Sequence, residues 1–163
     1  MRIAVVADHN ALPMKAQVGA WLTARGHEVD DRGVHAEEIV DYPLLCEDVC
    51  AQVLAGAADF AIVLGGSGSG EQMACNKIRG IRAALCHDTF VAEVARGNND
   101  ANVLVMGAKV IAADAAERIC DVWLATRFRG GRHADRVAMI MALDRGESLL
   151  ADRTVPGVGA PGR

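Results

Sequence analysis

The sequence has no apolar run of the roughly 18 residues that a membrane-spanning helix needs, so no membrane partner is expected. It shows no secretory leader: Met1-Arg2-Ile3-Ala4-Val5-Val6 passes straight into a strand-like run, and a cytoplasmic protein is expected. Its five cysteines, Cys46, Cys50, Cys75, Cys86 and Cys120, contain no C-x-x-C pair. An odd, scattered set reads as reduced thiols rather than a disulfide framework. Cys46 and Cys50 could share a helix face and bind metal, but burial as small apolar residues explains them better. There is no excess of positive charge: 17 Lys and Arg stand against 21 Asp and Glu, which argues against general nucleic-acid binding. No internal repeat and no linker divides the chain. With 163 residues and 52% hydrophobic content it suits one domain with a substantial core. That domain is expected over 1–146, followed by a Gly- and Pro-rich, poorly ordered tail over 147–163.

What is present is a regular alternation. Apolar runs at Ile3 to Ala7, Phe60 to Leu64, Ile81 to Cys86 and Val103 to Met106, with a weaker one at Glu28 to Asp31, read as strands. Helices are expected from Pro13 to about Arg25, Tyr42 to about Ala55, Gln72 to Lys77, Asp88 or Thr89 to about Arg96, Ala113 to Ala125, and Arg132 to about Asp144. Gly26 is the expected stop of the first. Val34 to Asp41 reads as loop and Gly97-Asn98-Asn99-Asp100 as a turn. Five strands alternating with helices, apolar throughout instead of on every second residue, predict an α/β fold with a parallel sheet covered on both faces. Ligands in such folds gather at the carboxyl ends of the strands. Asp8 and His9, a glycine loop after the third strand, and His87 and Asp88 all fall there.

The glycine loop is the strongest local signal. Gly65-Gly66-Ser67-Gly68-Ser69-Gly70-Glu71 lies between an apolar strand and a helix start, so its backbone N–H groups can approach an anion. It is not a nucleotide loop, because Glu71 stands where a P-loop needs lysine, and no register satisfies G-x-G-x-x-G. A nest of backbone donors with one carboxylate at its rim suits proton abstraction beside a carbonyl: the amides hold the enolate oxygen and the carboxylate moves the proton. The only basic cluster is Arg127, Arg129, Arg132, His133 and Arg136. Arg132 and Arg136 are four apart on one helix face, which makes either a phosphate clamp or a solvated surface.

These pieces together resemble the type B ribose-5-phosphate isomerases, a family that includes the galactose-6-phosphate isomerase subunits. The resemblance runs from Ile3 to about Asp144. It is carried by Ala7-Asp8-His9, Asp41-Tyr42-Pro43, the run from Leu64 to Arg82, Asn99-Asp100-Ala101-Asn102-Val103-Leu104, and Gly130-Gly131-Arg132-His133-x-x-Arg136. It implies a Rossmann-like three-layer αβα sandwich with a five-stranded parallel sheet in the order 2-1-3-5-4. It also implies a homodimer, or a dimer of dimers, with active sites shared between subunits. The implied activity is the interconversion of phosphorylated aldoses and ketoses through a cis-enediolate, without metal or cofactor, with ribose 5-phosphate as first substrate. Another phosphosugar such as a tetrose 4-phosphate, or non-catalytic phosphosugar binding, is the alternative. Many members carry a cysteine base at the position matched to Gly66. The actinobacterial-type subgroup, which this chain resembles, has glycine there and a glutamate base matching Glu71. By the same match Ser67, Gly68, Ser69 and Gly70, beside Gly66, form the anion hole, and Asp8 and Asn99 contact sugar oxygens. Tyr42 lies beside the site, and His9, Arg132 and Arg136 hold the phosphate, the arginines from across the dimer. Two departures stand out: the family's ring-opening histidine is Asn98 here, and an arginine of its G-x-R segment is Lys109.

Overall fold

A computed structural model describes residues 1–34 and 39–150. Residues 35–38 of the expected loop and 151–163 of the expected tail lie outside the described residues. The elements run β1 (Arg2–Ala7), α1 (Leu12–Ala24), β2 (Glu28–Asp31), α2 (Tyr42–Leu54), β3 (Phe60–Gly65), α3 (Ser69–Cys75), β4 (Ala83–Leu85), α4 (Thr89–Asn99), β5 (Val103–Gly107), α5 (Ala113–Ala125) and α6 (Arg132–Asp144). The five strands form one parallel sheet in the order β2-β1-β3-β5-β4. No helix among the described residues is long and apolar enough to cross a membrane.

Both faces of the sheet are covered, which is why its strands are apolar without alternation. Ile3, Val5, Ile62, Leu64, Leu104 and Met106 point into a core shared with α1, α4 and α5. Ala4, Val6, Val63 and Val105 point the other way, into a core closed by α2 and α3 with Cys46, Val49, Cys50 and Cys75. Cys46 and Cys50 thus serve as small core residues, and all five thiols are free and buried. The outermost helix, α6, buries none of its residues and packs beside α4.

Local chemistry places the ends. Pro13 and Pro43 sit in the first turns of α1 and α2, where a missing N–H removes no helical bond. Asp88 caps α4 by accepting from Val91 N at 2.7 Å. The expected turn at 97–100 is corrected: α4 continues to Asn99, and the reversal falls on Asp100 alone, at φ 46°. Gly97 serves close packing instead of turning, since a Cβ there would lie 3.2 Å from the Arg129 guanidinium. Asp100 tolerates its conformation because Arg96 and Arg82 hold its carboxylate at 2.9 and 3.2 Å. The fourth strand is also shorter than expected, since side chains take over its first backbone groups. Asn102 Oδ1 accepts from Arg82 N at 2.8 Å, and Asn76 Oδ1 accepts from Ala83 N at 2.9 Å. The third helix starts three residues earlier than expected, at Ser69, which places Glu71 in its first turn.

Candidate active site

The glycine loop is built by close backbone packing between the carboxyl ends of β3 and β5. Gly68 adopts φ +78° as the residue before α3, and a Cβ on it would lie 2.5 Å from Leu85 Cδ1. A Cβ on Gly107 would lie 2.5 Å from the Ser67 carbonyl oxygen. Ala108 N donates to Gly65 O at 2.8 Å and Lys109 N to Gly66 O at 2.9 Å, drawing the loop carbonyls down. The N–H groups of Ser67, Gly68 and Gly70 donate to nothing among the described residues, while Ser69 N donates to Ser67 Oγ at 3.2 Å. The loop is therefore a set of uncommitted donors on a braced frame, as an oxyanion site requires. Sequence reasoning missed the brace, because nothing in Gly107-Ala108-Lys109 announces its contact with a loop some forty residues earlier. Gly107→Ala is expected to destabilise the protein by about 1–3 kcal/mol through backbone overpacking. Turnover should fall as well, because Ser67 must move; thermal melting and steady-state kinetics check both effects.

Glu71 rises from the first turn of α3 and is 5% exposed. Burial pushes its carboxyl above the ordinary value of 4.5; its own backbone N–H offsets part of this, and the nearby charge of Asp8 adds to it. Its carboxylate lies over Gly65: a Cβ on that glycine would fall 2.1 Å from Glu71 Oε1 and 2.2 Å from Cδ. A side chain at Gly65 would thus occupy the place of the carboxylate. A Cβ on Gly66 meets only Asn10, at 3.6 Å. A side chain at Gly65, and not one at Gly66, would therefore reach the place that the Glu71 carboxylate holds. Below the carboxylate, Cys46 Sγ donates to Glu71 O at 3.6 Å. That thiol is pushed up by its hydrogen bond with Cys75 and by burial, so it does not compete as a base.

Asp8, His9, Asn10, Tyr42, Gly66, Ser67, Gly70 and Glu71 surround one open cleft of about 400 Å³. Asp8 ends β1, with its N–H bonded to Leu64 O at 3.0 Å, which sets it level with the glycine loop on the neighbouring strand. Tyr42 opens α2 and packs against Gly70, where a Cβ would lie 2.6 Å from the Tyr42 hydroxyl. Seven of the expected site residues are thus brought together. Gly68 and Ser69 shape the loop without lining the cleft.

Asn99, Arg132 and Arg136 do not join them within one chain. α4 leaves the carboxyl end of β4 and returns to the amino end of β5, so Asn99 lies at the opposite edge of the sheet. It lines a separate pocket with Asn76, Arg82 and Ile140. Arg129 N donates to Gly97 O at 2.9 Å, and Gly80 N donates to Asp144 Oδ2 at 2.9 Å, which ties both ends of α6 to that same edge. Arg132 and Arg136 are exposed there, and neither guanidinium has a partner among the described residues. Among the described residues the cleft is lined by two carboxylates and no lysine or arginine.

A doubly covered parallel sheet with a buried carboxylate beside open backbone donors defines an α/β enzyme equipped for proton transfer. Residues 3–140 match the family described as Ribose/Galactose Isomerase, and the chain belongs to that family. It is 38% identical over 144 residues to "Ribose-5-phosphate isomerase B" of Escherichia coli strain K12, covering 88% of this chain and 97% of that protein. It is 36% identical over 141 residues to the "D-erythrulose-4-phosphate isomerase" of Pectobacterium atrosepticum, covering 86% and 93%. The solved ribose-5-phosphate isomerase B of Clostridium thermocellum superposes with a TM-score of 0.88 at 41% identity, over 90% of this chain and 99% of that one. The chain is accordingly an aldose–ketose isomerase of phosphorylated sugars.

Proposed function

We propose that the protein interconverts ribose 5-phosphate and ribulose 5-phosphate, with Glu71 as the proton-transferring base. The observation that carries this reading is the buried Glu71 carboxylate in one cleft with the uncommitted N–H groups of the glycine loop. Glu71 takes the proton from C2 of the open-chain aldose. The electron pair moves into a C1–C2 double bond, and charge gathers on the sugar oxygens. The loop amides and the Ser67 hydroxyl donate to that charge, and Asp8 orients the neighbouring hydroxyl groups. The O2 proton then passes to O1 across the cis-enediolate. The electron pair left on O2 forms the C2 carbonyl as Glu71 returns a proton to C1, which gives the ketose with no external oxidant consumed.

The phosphate needs cations, and the described residues lining the cleft include no lysine or arginine. Arg132 and Arg136 of a second copy supply them, with Asn99 of that copy, when the amino edge of one sheet meets the carboxyl edge of the other. A two-fold dimer arranged in this way completes two sites at once. His9 meets the phosphate from within the chain.

One observation favours a shorter sugar. Asn98 Oδ1 accepts from Arg129 Nη1 at 2.7 Å, and Arg129 also pairs with Glu93. Asn98 is therefore a fixed amide that exchanges no proton near neutrality, unlike a histidine. A tetrose 4-phosphate, whose O4 is esterified, closes no five-membered ring and requires no ring-opening acid. The deciding experiment measures C2 proton exchange in heavy water and turnover with ribose 5-phosphate and erythrose 4-phosphate. Exchange and turnover of the pentose support the main reading. A higher kcat/KM on the tetrose replaces it with the second, and neither exchange nor turnover with either sugar rejects both.

A further inference from the structure

Asn10 lines the cleft and has no role in the chemistry described above. Its contacts are specific. Asp8 Oδ1 accepts from Asn10 N at 2.8 Å, and Asp8 Oδ2 accepts from Asn10 Nδ2 at 2.9 Å. The same Nδ2 lies 3.1 Å from His9 Nε2. The orientation of the amide follows from the partners, since carboxylate oxygens accept and the amide nitrogen must therefore face Asp8. The two hydrogens on Nδ2 then serve one partner each. His9 Nε2 is thereby an acceptor, and the neutral ring carries its proton on Nδ1. That nitrogen is buried without a partner among the described residues. Asn10 also packs on the glycine loop, its Cβ, Cγ and Nδ2 each 3.6 Å from where a Gly66 side chain would begin.

We propose that Asn10 is a positioning residue whose one side-chain amide locks the Asp8 carboxylate and the His9 tautomer and holds both against the glycine loop. A carboxylate bound through both oxygens does not rotate away from the substrate. An imidazole whose Nε2 is occupied has one uncommitted donor, Nδ1–H, and the tautomer is set by the bond the other nitrogen makes. Groups held in this way are in place before charge develops on the substrate, so their reorganisation adds nothing to the barrier. The kinetic consequence rests on the isomerase reading above; the lock on the ring rests on the hydrogen bonds alone.

The test uses the full chain with ¹⁵N-labelled histidine, at a pH where the His9 ring is neutral, with the His9 signals assigned by comparison with His9→Gln. Two variants remove the amide donor. Asn10→Ala keeps the backbone N–H that binds Asp8 Oδ1, and Asn10→Asp keeps the shape. The wild type is expected to show the proton on Nδ1 and both variants to shift it to Nε2, as in a free imidazole. With ribose 5-phosphate, kcat/KM is expected to fall about tenfold or more, mainly through kcat, the scale for loss of a hydrogen bond to a charged group. A wild-type ring protonated on Nε2, or a tautomer unchanged in both variants, overturns the proposal. So does a kcat/KM within about twofold of wild type in both. A wild type that shows the tautomer switch but turns over no phosphosugar rejects the isomerase reading and leaves the amide lock standing.

Discussion

Glu71→Gln is expected to lower kcat at least about a hundredfold while leaving phosphosugar binding nearly intact. The amide keeps the shape of the carboxylate and cannot accept a proton. The direction of the Glu71 shift adds two consequences. Its carboxyl is raised, first by burial and then by Asp8. Only the ionised form is a base, so the acid limb of kcat/KM in the wild type should lie above the ordinary carboxylate range, and Asp8→Asn should move it down. In the linkage sense, a carboxyl raised on folding makes the native state bind protons more tightly than the unfolded chain. Its contribution to stability is therefore greatest below the unfolded value of about 4.5 and declines as pH rises through the folded value. At neutral pH the buried charge opposes folding, so Glu71→Gln should raise Tm while it abolishes turnover. Near-full activity in this variant, or a Tm several degrees below wild type, contradicts the assignment.

Arg132→Ala and Arg136→Ala are each expected to weaken phosphosugar binding about ten- to a hundredfold, the range for a lost charge-assisted hydrogen bond. The larger effect comes from mixing. Within one chain these arginines lie at the amino edge of the sheet and Glu71 at the carboxyl edge. If a second copy completes the site, a heterodimer of Glu71→Gln and Arg136→Ala chains has one site with both groups intact. Co-refolding the two variants, both nearly inactive at substrate concentrations well below KM, should then restore about a quarter of wild-type activity there by random reassortment in a two-fold dimer. Activity that never exceeds the mean of the parents rules out sharing. An unchanged KM in both arginine variants makes the pair a solvated helix face.

Much of the architecture was legible because its signals are local. Uninterrupted apolar runs separated by helix-length segments leave few alternatives to a doubly covered parallel sheet. Pro13, Pro43 and Asp88 marked helix starts by chemistry that acts within one turn. The glycine loop announced itself by composition, and Glu71 by taking the place of a lysine. Where a residue's meaning depended on a distant partner, the sequence misled. Gly97 looked like turn chemistry because its packing against Arg129 is invisible in the chain. The fourth strand looked longer because the claims of Asn76 and Asn102 on its backbone come from other elements.

The sequence by itself determined the fold class and the family and singled out Glu71 as the candidate base, since each rests on residue types in a linear pattern. The tertiary structure decided which of those residues share a cleft. It separated Arg132, Arg136 and Asn99 from Glu71 by the width of the sheet, and laid the Glu71 carboxylate over Gly65. It joined Gly107 to Ser67 and bound Asn10 to both Asp8 and His9. The physical reason is that a parallel sheet sends each strand–helix unit back to its starting edge. Neighbours in sequence are carried to opposite edges, and residues far apart in the chain are brought within a hydrogen bond of one another.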